Sequence, residues 1–339
     1  MDDTHAIVCY RDNGNSGYGT AVCLTLNTGD NSIDVGTPAI FESGSSLYVS
    51  VTAMDSTKAI VCYQDNDNSS QGTAVCLTLD TSDDSIDVGT HVVFNAETTT
   101  YITVVGMDTT HAIVCYQEAN QNKGACKCLT LSGTTISNGT ETIFEDGISS
   151  YISATSMSST KAIVCYRDGG DSNKGKSCCL SLSGTTVTAA TPVVFESNQS
   201  SYISVSSLDS EYAIVCYRDN DSSNGCKACA LSLSGTTITT GTSTTYRSTE
   251  SGWSAVERLS DTQAIVCFYY ATGTGNIGET CLITLDTSDD SIDITTPVEF
   301  ESGYAKYNSV VHLADGDCIV CYQDGGNSNY GTATLITAS

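Results

Sequence analysis

Residues 59–64, Ala59-Ile60-Val61-Cys62-Tyr63-Gln64, decide the fold. Successive side chains in an extended segment point to opposite faces, so Ile60 and Cys62 share one face and Val61 and Tyr63 the other. A strand that is apolar on both faces lies between two other layers. The motif recurs with its Cys at 9, 62, 115, 165, 216, 267 and 321, and Phe268 replaces the Tyr in the sixth copy. The spacings are 53, 53, 50, 51, 51 and 54 residues. A fixed period of this length dictates a repeat architecture, and no helical period of 3.6 accompanies it.

Working outward, each full copy holds four short strand-like runs between turn residues. In the second copy strand A is 48–54 (YVSVTAM), strand B 59–64 (AIVCYQ), strand C 73–79 (TAVCLTL), and strand D, the least defined, about 86–94. An aromatic stands 14 residues before each marker Cys from the second copy on: Tyr48, Tyr101, Tyr151, Tyr202, Trp253 and Tyr307. A second aromatic stands seven residues before those: Phe41, Phe94, Phe144, Phe195, Tyr246 and Phe300.

Four-stranded sheets packed face to face at this repeat length are what a propeller blade requires. The expected fold is all-β: a seven-bladed β-propeller of four-stranded antiparallel blades, with strand A innermost and one half-unit, one D and one A strand, missing. One domain is expected over 1–339, with repeat units near 1–47, 48–100, 101–150, 151–201, 202–252, 253–306 and 307–339. Ser32-Ile33-Asp34-Val35-Gly36 and Ser85-Ile86-Asp87-Val88-Gly89 resemble the start of the sialidase-type Asp-box, S-x-D-x-G-x-x-[WF]. The closing aromatic is absent at Ala39 and Val92, so the resemblance bears on the fold and implies no activity.

The chain starts at strand B and stops after strand C, and Met1 aligns with the in-repeat Met54, Met107 and Met157. Two expectations follow: the absent half-unit lies in sequence outside this chain, or a second chain completes it and the protein self-associates through the incomplete blade.

The formal net charge is −26, from 13 basic and 39 acidic residues. Such a field repels phosphate backbones and argues against nucleic acid as a partner. No apolar run approaches the length of a membrane span, and no signal peptide is visible ahead of the first apolar run. The 17 Cys are exchanged between copies with small or apolar residues: Cys126 stands where copy two has Ala74, and Cys318 where it has Ala59. That is the behaviour of buried thiols, which fits a reducing, cytoplasmic compartment. Cys9 with Cys23, and Cys62 with Cys76, are expected as cross-strand neighbours. Zinc finds little support, since the residues of Cys226-x-x-Cys229 and Cys318-x-x-Cys321 point to opposite faces of a strand.

Two sets of residues stand out as candidate sites. The strand-A aromatics Tyr48, Tyr101, Tyr151, Tyr202, Trp253 and Tyr307 are the ligand-binding candidates, expected as an axial ring. The B–C turns carry Asp12, Asp65, Asp67, Asp219, Asp221 and Asp324, with oxygen ligands at alternate positions as calcium prefers. The same residues are ordinary turn formers, so both readings stay open; Ca²⁺ is the sole cofactor candidate. Copy six departs furthest from the pattern. It has Trp253 for Tyr, Glu257-Arg258 inside strand A, and Phe268-Tyr269-Tyr270 where others read Tyr-Arg-Asp or Tyr-Gln-Asp.

Catalytic residues are not apparent. There is no nucleophile elbow and no phosphate-binding Gly loop. His5 and His111 occupy a turn position that is Lys58 or Lys161 elsewhere, and three of the five Arg (Arg11, Arg167, Arg218) share one repeat position. The sequence therefore reads as a non-enzymatic binding or scaffold propeller whose ligand, protein or glycan, is not specified. A multivalent lectin-like propeller is the alternative. A glycosidase comes last, for want of a carboxylate pair.

Overall fold

The computed structural model describes residues 1–272, 275–313 and 316–337. Among these the secondary structure is β-strand apart from one 3₁₀ turn, Asn13–Asn15. No helix is long and apolar enough to cross a membrane.

The second repeat shows the plan. Strand B, Lys58–Asp65, pairs antiparallel with strand C, Gln71–Asp80, in unbroken register from Lys58↔Thr78 to Asp65↔Gln71. Strand D comes in two pieces against strand C: Ser85–Val88 pairs with residues 77–80, and the start of Val92–Gly106 pairs with residues 71–74. The Asp-box-like segments are thus short strands rather than turns.

Strands D and A are not separate elements in the repeats that begin the chain. Ala39–Ala53 and Val92–Gly106 are each one continuous strand of 15 residues. The first part closes one sheet and the last part opens the next, so hydrogen bonding runs unbroken through twelve strands. The sequence expectation of a loop between D and A fails because the linking residues, Gly44-Ser45-Ser46 in the first case, keep an extended backbone.

The chain groups into two compact units, Met1–Ala162 with Leu180–Ala190, and Ile163–Cys179 with Thr191–Ser339. In the first, the two-faced strand behaves as its alternation requires. Ile60 and Cys62 join a cluster with Ala74, Cys76, Val114 and Leu129, whereas Ala59, Val61 and Tyr63 join another with Ala21, Phe41, Val75 and Leu77. All of strand B from Ala59 to Tyr63 is inaccessible to solvent. Fully burying an aliphatic or aromatic side chain contributes about 1.5–3 kcal/mol, which makes this strand the main source of cohesion. The second unit has an equivalent cluster built on Ile214, Cys216, Val266 and Phe268.

All seventeen cysteines are thiols, fifteen of them buried. Cys9 lies opposite Ala21 and Cys62 opposite Ala74, so Cys23 and Cys76 are offset by two residues from the partners expected for them. Cys115 and Cys126 are directly opposed instead. Burial raises the thiol of Cys267 to about 12, which makes it unreactive as a nucleophile.

Candidate functional site

The strand-A aromatics share an unusual backbone. Tyr48, Tyr101, Tyr151, Tyr202, Trp253 and Tyr307 all have positive φ, between 46° and 54°. Each sits at a bulge where the A–B register slips, as between Leu47 and Ser50 or between Gly252 and Ala255. A bulky residue in the left-handed region costs on the order of 1–3 kcal/mol, and bulges re-aim a side chain. The rings meet at a tilt: Tyr48–Tyr101 with centroids at 5.3 Å and Tyr101–Tyr151 at 5.5 Å in the first unit, Tyr202–Trp253 at 4.8 Å and Trp253–Tyr307 at 5.4 Å in the second. Tyr269 adds a ring 5.1 Å from Trp253.

Beyond the bulge, strand A is held to the next strand A by side chains that accept backbone hydrogen bonds. Ser50 Oγ accepts from the Val104 N–H at 3.1 Å, and Thr52 Oγ1 from the Gly106 N–H at 2.9 Å. Ser204 and Ser206 do the same for Val256 and Arg258, at 3.1 and 3.2 Å. The residue four past the aromatic is Thr52, Val105, Thr155, Ser206, Glu257 or Val311 across the copies; the residue five past it is Ala53, Gly106, Ser156, Ser207, Arg258 or His312. Ionisable side chains at these two positions occur only in copies six and seven, as Glu257, Arg258 and His312, on neighbouring strands Ser251–Ser260 and Ala305–His312.

Glu257 takes the place of the Thr52 and Ser206 hydroxyls, and its carboxyl meets the backbone amide of His312. Burial raises this carboxyl; the His312 amide and the Arg258 charge lower it; the balance leaves it at about 7. A carboxyl that titrates there is matched to general acid–base work. Arg258 also pairs with Asp261 at 2.5 Å. The sequence had marked Glu257 and Arg258 as departures from the repeat. It missed His312, whose signal was available: counting five residues from Tyr307 places it level with Arg258.

Copy six also reverses an ion pair. Lys227 in strand C holds Asp219 at 2.6 Å and Glu196 at 3.6 Å. One copy on, Glu279 stands opposite Phe268 as Lys227 stands opposite Tyr217, and Arg247 takes the place of Glu196. Arg247 Nε donates to Glu279 Oε2 at 2.9 Å, with a second contact through Nη2, and its guanidinium lies 4.1 Å from the centre of the Tyr270 ring.

The B–C turn aspartates have turn-capping partners. Asp12 Oδ1 accepts from the amides of Gly14 and Asn15, Asp65 Oδ1 from Asn68, Asp219 Oδ1 from Asp221, and Asp324 Oδ1 from Gly326 and Asn327. Asp221 Oδ2 accepts from Gln199, and Asp67 packs beside Gly44. Among the described residues no three His, Cys, Asp or Glu side chains converge as a metal site would need.

No known family model matches the sequence, and no curated protein matches it either. Solved structures do. A periplasmic gluconolactonase of Pseudomonas aeruginosa superposes with a TM-score of 0.66 at 12% identity, over 99% of both chains. The fold is a β-propeller. A putative 6-phosphogluconolactonase of Bacteroides uniformis gives 0.65 at 8% identity, over 100% of this chain and 98% of that one. The Aleuria aurantia lectin gives 0.53 at 12% identity, over 86% and 97%.

These neighbours overturn the non-enzymatic reading of this propeller. The full-length matches carry the names of hydrolases, so absence of a nucleophile or an Arg cluster is no argument for a scaffold. The lectin-like alternative falls behind with the lower similarity. A single ionisable side chain placed at a repeat position leaves no sequence motif, so the lack of a nucleophile elbow does not exclude an enzyme.

Proposed function

We propose that this propeller hydrolyses a sugar lactone, with Glu257 as general base. The observation that carries the reading is the replacement of small side chains by Glu257, Arg258 and His312 at two adjacent repeat positions. In the proposed reaction the Glu257 carboxylate takes a proton from water. The hydroxide so formed adds to the lactone carbonyl. Collapse breaks the bond from the carbonyl carbon to the ring oxygen, which takes the proton back from Glu257, and an aldonic acid leaves. The net charge of −26 disfavours a phosphorylated ring, so the substrate is an uncharged aldonolactone rather than its 6-phosphate. The full-length likeness to a protein named gluconolactonase and to two named as putative 6-phosphogluconolactonases supports a sugar lactone as the substrate class.

The test is proton release from D-glucono-1,5-lactone against its 6-phosphate, measured above spontaneous hydrolysis for wild type and Glu257→Gln. Acceleration lost in the variant supports the reading; no acceleration by the wild type overturns it. We also propose that the seven repeats are seven blades and that the Asp-box likeness reflects a sialidase-type ancestry, which a crystal structure and a family alignment would test.

A further inference from the structure

The other end of strand Ser251–Ser260 carries a second set of residues that the proposed hydrolysis does not use. Trp253 lies four residues before Glu257, about 13 Å along an extended strand. Its indole touches Tyr202, Tyr269 and Tyr307. Two cations flank this group. The Arg218 guanidinium lies 5.5 Å from the Tyr202 ring centre. Lys306 Nζ lies 5.2 Å from that of Trp253 and 4.0 Å from that of Tyr304.

The repeat position of Arg218 is Arg11 and Arg167 in two other copies and Gln64, Gln117 and Gln323 in three. Gln117 Oε1 accepts from the hydroxyl of its strand-A neighbour Thr100 at 3.1 Å. The corresponding neighbour of Arg218 is Ser201, whose hydroxyl donates to Asn220 Oδ1 at 2.9 Å instead. Arg218 Nε is left buried with no hydrogen-bond partner. A buried donor without a partner costs about 1–3 kcal/mol, more when charged. Lys306 in turn sits at the strand-A position held by Thr100 and Ser201, opposite Gln323. The Glu250 carboxylate bears on Tyr269, as Arg218 does with the opposite sign, so the charge here is not wholly positive.

We infer that Arg218 and Lys306, with Trp253 and Tyr202 between them, form a binding site for the carboxylate of a sugar acid. The guanidinium supplies a planar fork for a carboxylate, and the aromatic faces supply a platform for the C–H face of the sugar chain. A single negative charge suits the two cations; a phosphate dianion meets the acidic field of the whole chain. The choice of a sugar acid as ligand rests on the hydrolysis reading, whereas none of the residues of this site takes part in that reaction.

Calorimetric titration with sodium D-gluconate, and with D-glucose as the neutral control, tests it on the full chain. Arg218→Gln and Lys306→Ser install residues that sister copies already carry at those positions, and melting curves verify that both variants fold. The wild type is expected to bind gluconate and not glucose, more weakly at high salt, and each variant to lose about tenfold or more in affinity, about 1.4 kcal/mol. Glu257→Gln should bind gluconate as the wild type does. No gluconate binding by the wild type, or Arg218→Gln binding undiminished, overturns the inference. Loss of binding in Glu257→Gln overturns its independence from the hydrolytic end.

Discussion

Strand Ser251–Ser260 and the stretch 46–53 follow one backbone plan and carry different chemistry. Both have an aromatic at positive φ, Trp253 at 46° and Tyr48 at 50°. Both slip register at the same step against strand B. Both send the side chain four residues further on toward the next strand A. In one case that side chain is the Thr52 hydroxyl, which accepts a backbone amide at 2.9 Å; in the other it is a carboxyl held near 7. The scaffold position is prepared in every copy, and chemistry is installed by substitution without any change of fold. A repeat protein can thus carry an ionisable group in the one place where motif searches expect only structure.

The largest effect expected from breaking this comparison is on turnover. Glu257→Gln keeps the shape and the acceptor for the His312 amide but removes the base, so kcat/KM for gluconolactone should fall by about 10²–10⁴-fold, with circular dichroism unchanged. Activity within twofold or threefold of wild type would sink the assignment. Thr52→Glu, the reverse change at the sister position, should create no activity, because Ala53 and Gly106 stand where Arg258 and His312 would be needed.

Next comes the reversed ion pair. Arg247→Ala strips the partner from Glu279, a carboxylate only 8% exposed, and should cost about 2–3 kcal/mol in denaturant unfolding, near the lower limit for a buried pair because Arg247 is partly exposed. Exchanging the charges with Arg247→Glu and Glu279→Lys together reproduces the Glu196–Lys227 arrangement of the preceding copy. The double variant should recover most of that loss, and a loss as large as that of the single change would show that the two copies are not interchangeable here.

A smaller effect concerns pH and stability. Folding raises the Glu257 carboxyl from its ordinary value to about 7, so the native state holds the proton more tightly than the unfolded chain. The sign follows: the contribution to stability is complete below the unfolded value, near 4, and is lost as pH rises through 7. Up to about 3 kcal/mol is involved, at 1.36 kcal/mol per unit. Melting temperatures of wild type and Glu257→Gln should therefore diverge between pH 5 and pH 8, with the variant the more stable at the alkaline end. Parallel curves would mean that the carboxyl is solvated. Activity should move the opposite way and rise with pH through about 7, since the base works ionised.

The smallest expected effect is that of calcium. Four of the six turn aspartates, Asp12, Asp65, Asp219 and Asp324, cap their own turns, so calcium should shift the melting temperature no more than magnesium does. A rise specific to calcium, following RT ln(1 + [L]/Kd), would restore the metal reading and locate it in the B–C turns.

The fold was legible because its cause is local and repeated. Ile60-Val61-Cys62-Tyr63 states in four residues that a strand is covered on both faces, and six further copies state it again. The continuous D–A strand was not legible, because Gly44-Ser45-Ser46 carries turn composition while its backbone stays extended through hydrogen bonds made on both sides. The site was half legible. Glu257 and Arg258 broke the pattern visibly, yet their meaning depends on an environment, the low polarity that raises a carboxyl, which no spacing encodes. His312 was hidden because histidine at a strand end looks like any turn residue until the copies are superposed. Arg218 resembled its counterparts Arg11 and Arg167; its buried Nε without a partner and its place over the Tyr202 ring are visible only in the structure.

The 15-residue strands have a mechanical corollary. Ala39–Ala53 belongs to one sheet at its start and to the next at its end, so neither sheet can peel away while the other keeps its full complement of hydrogen bonds. Local opening, which in many proteins frees one supersecondary unit at a time, is here tied to the adjacent sheet. Amide protons along 39–53 should accordingly exchange as a block together with those of 58–65, whereas the short strand Ser32–Val35, paired on one edge alone, exchanges early. The repeat unit read in the sequence, with a boundary near 47/48, is therefore offset from the segment that holds the sheets together, and a truncation placed at that boundary cuts through Ala39–Ala53 rather than beside it.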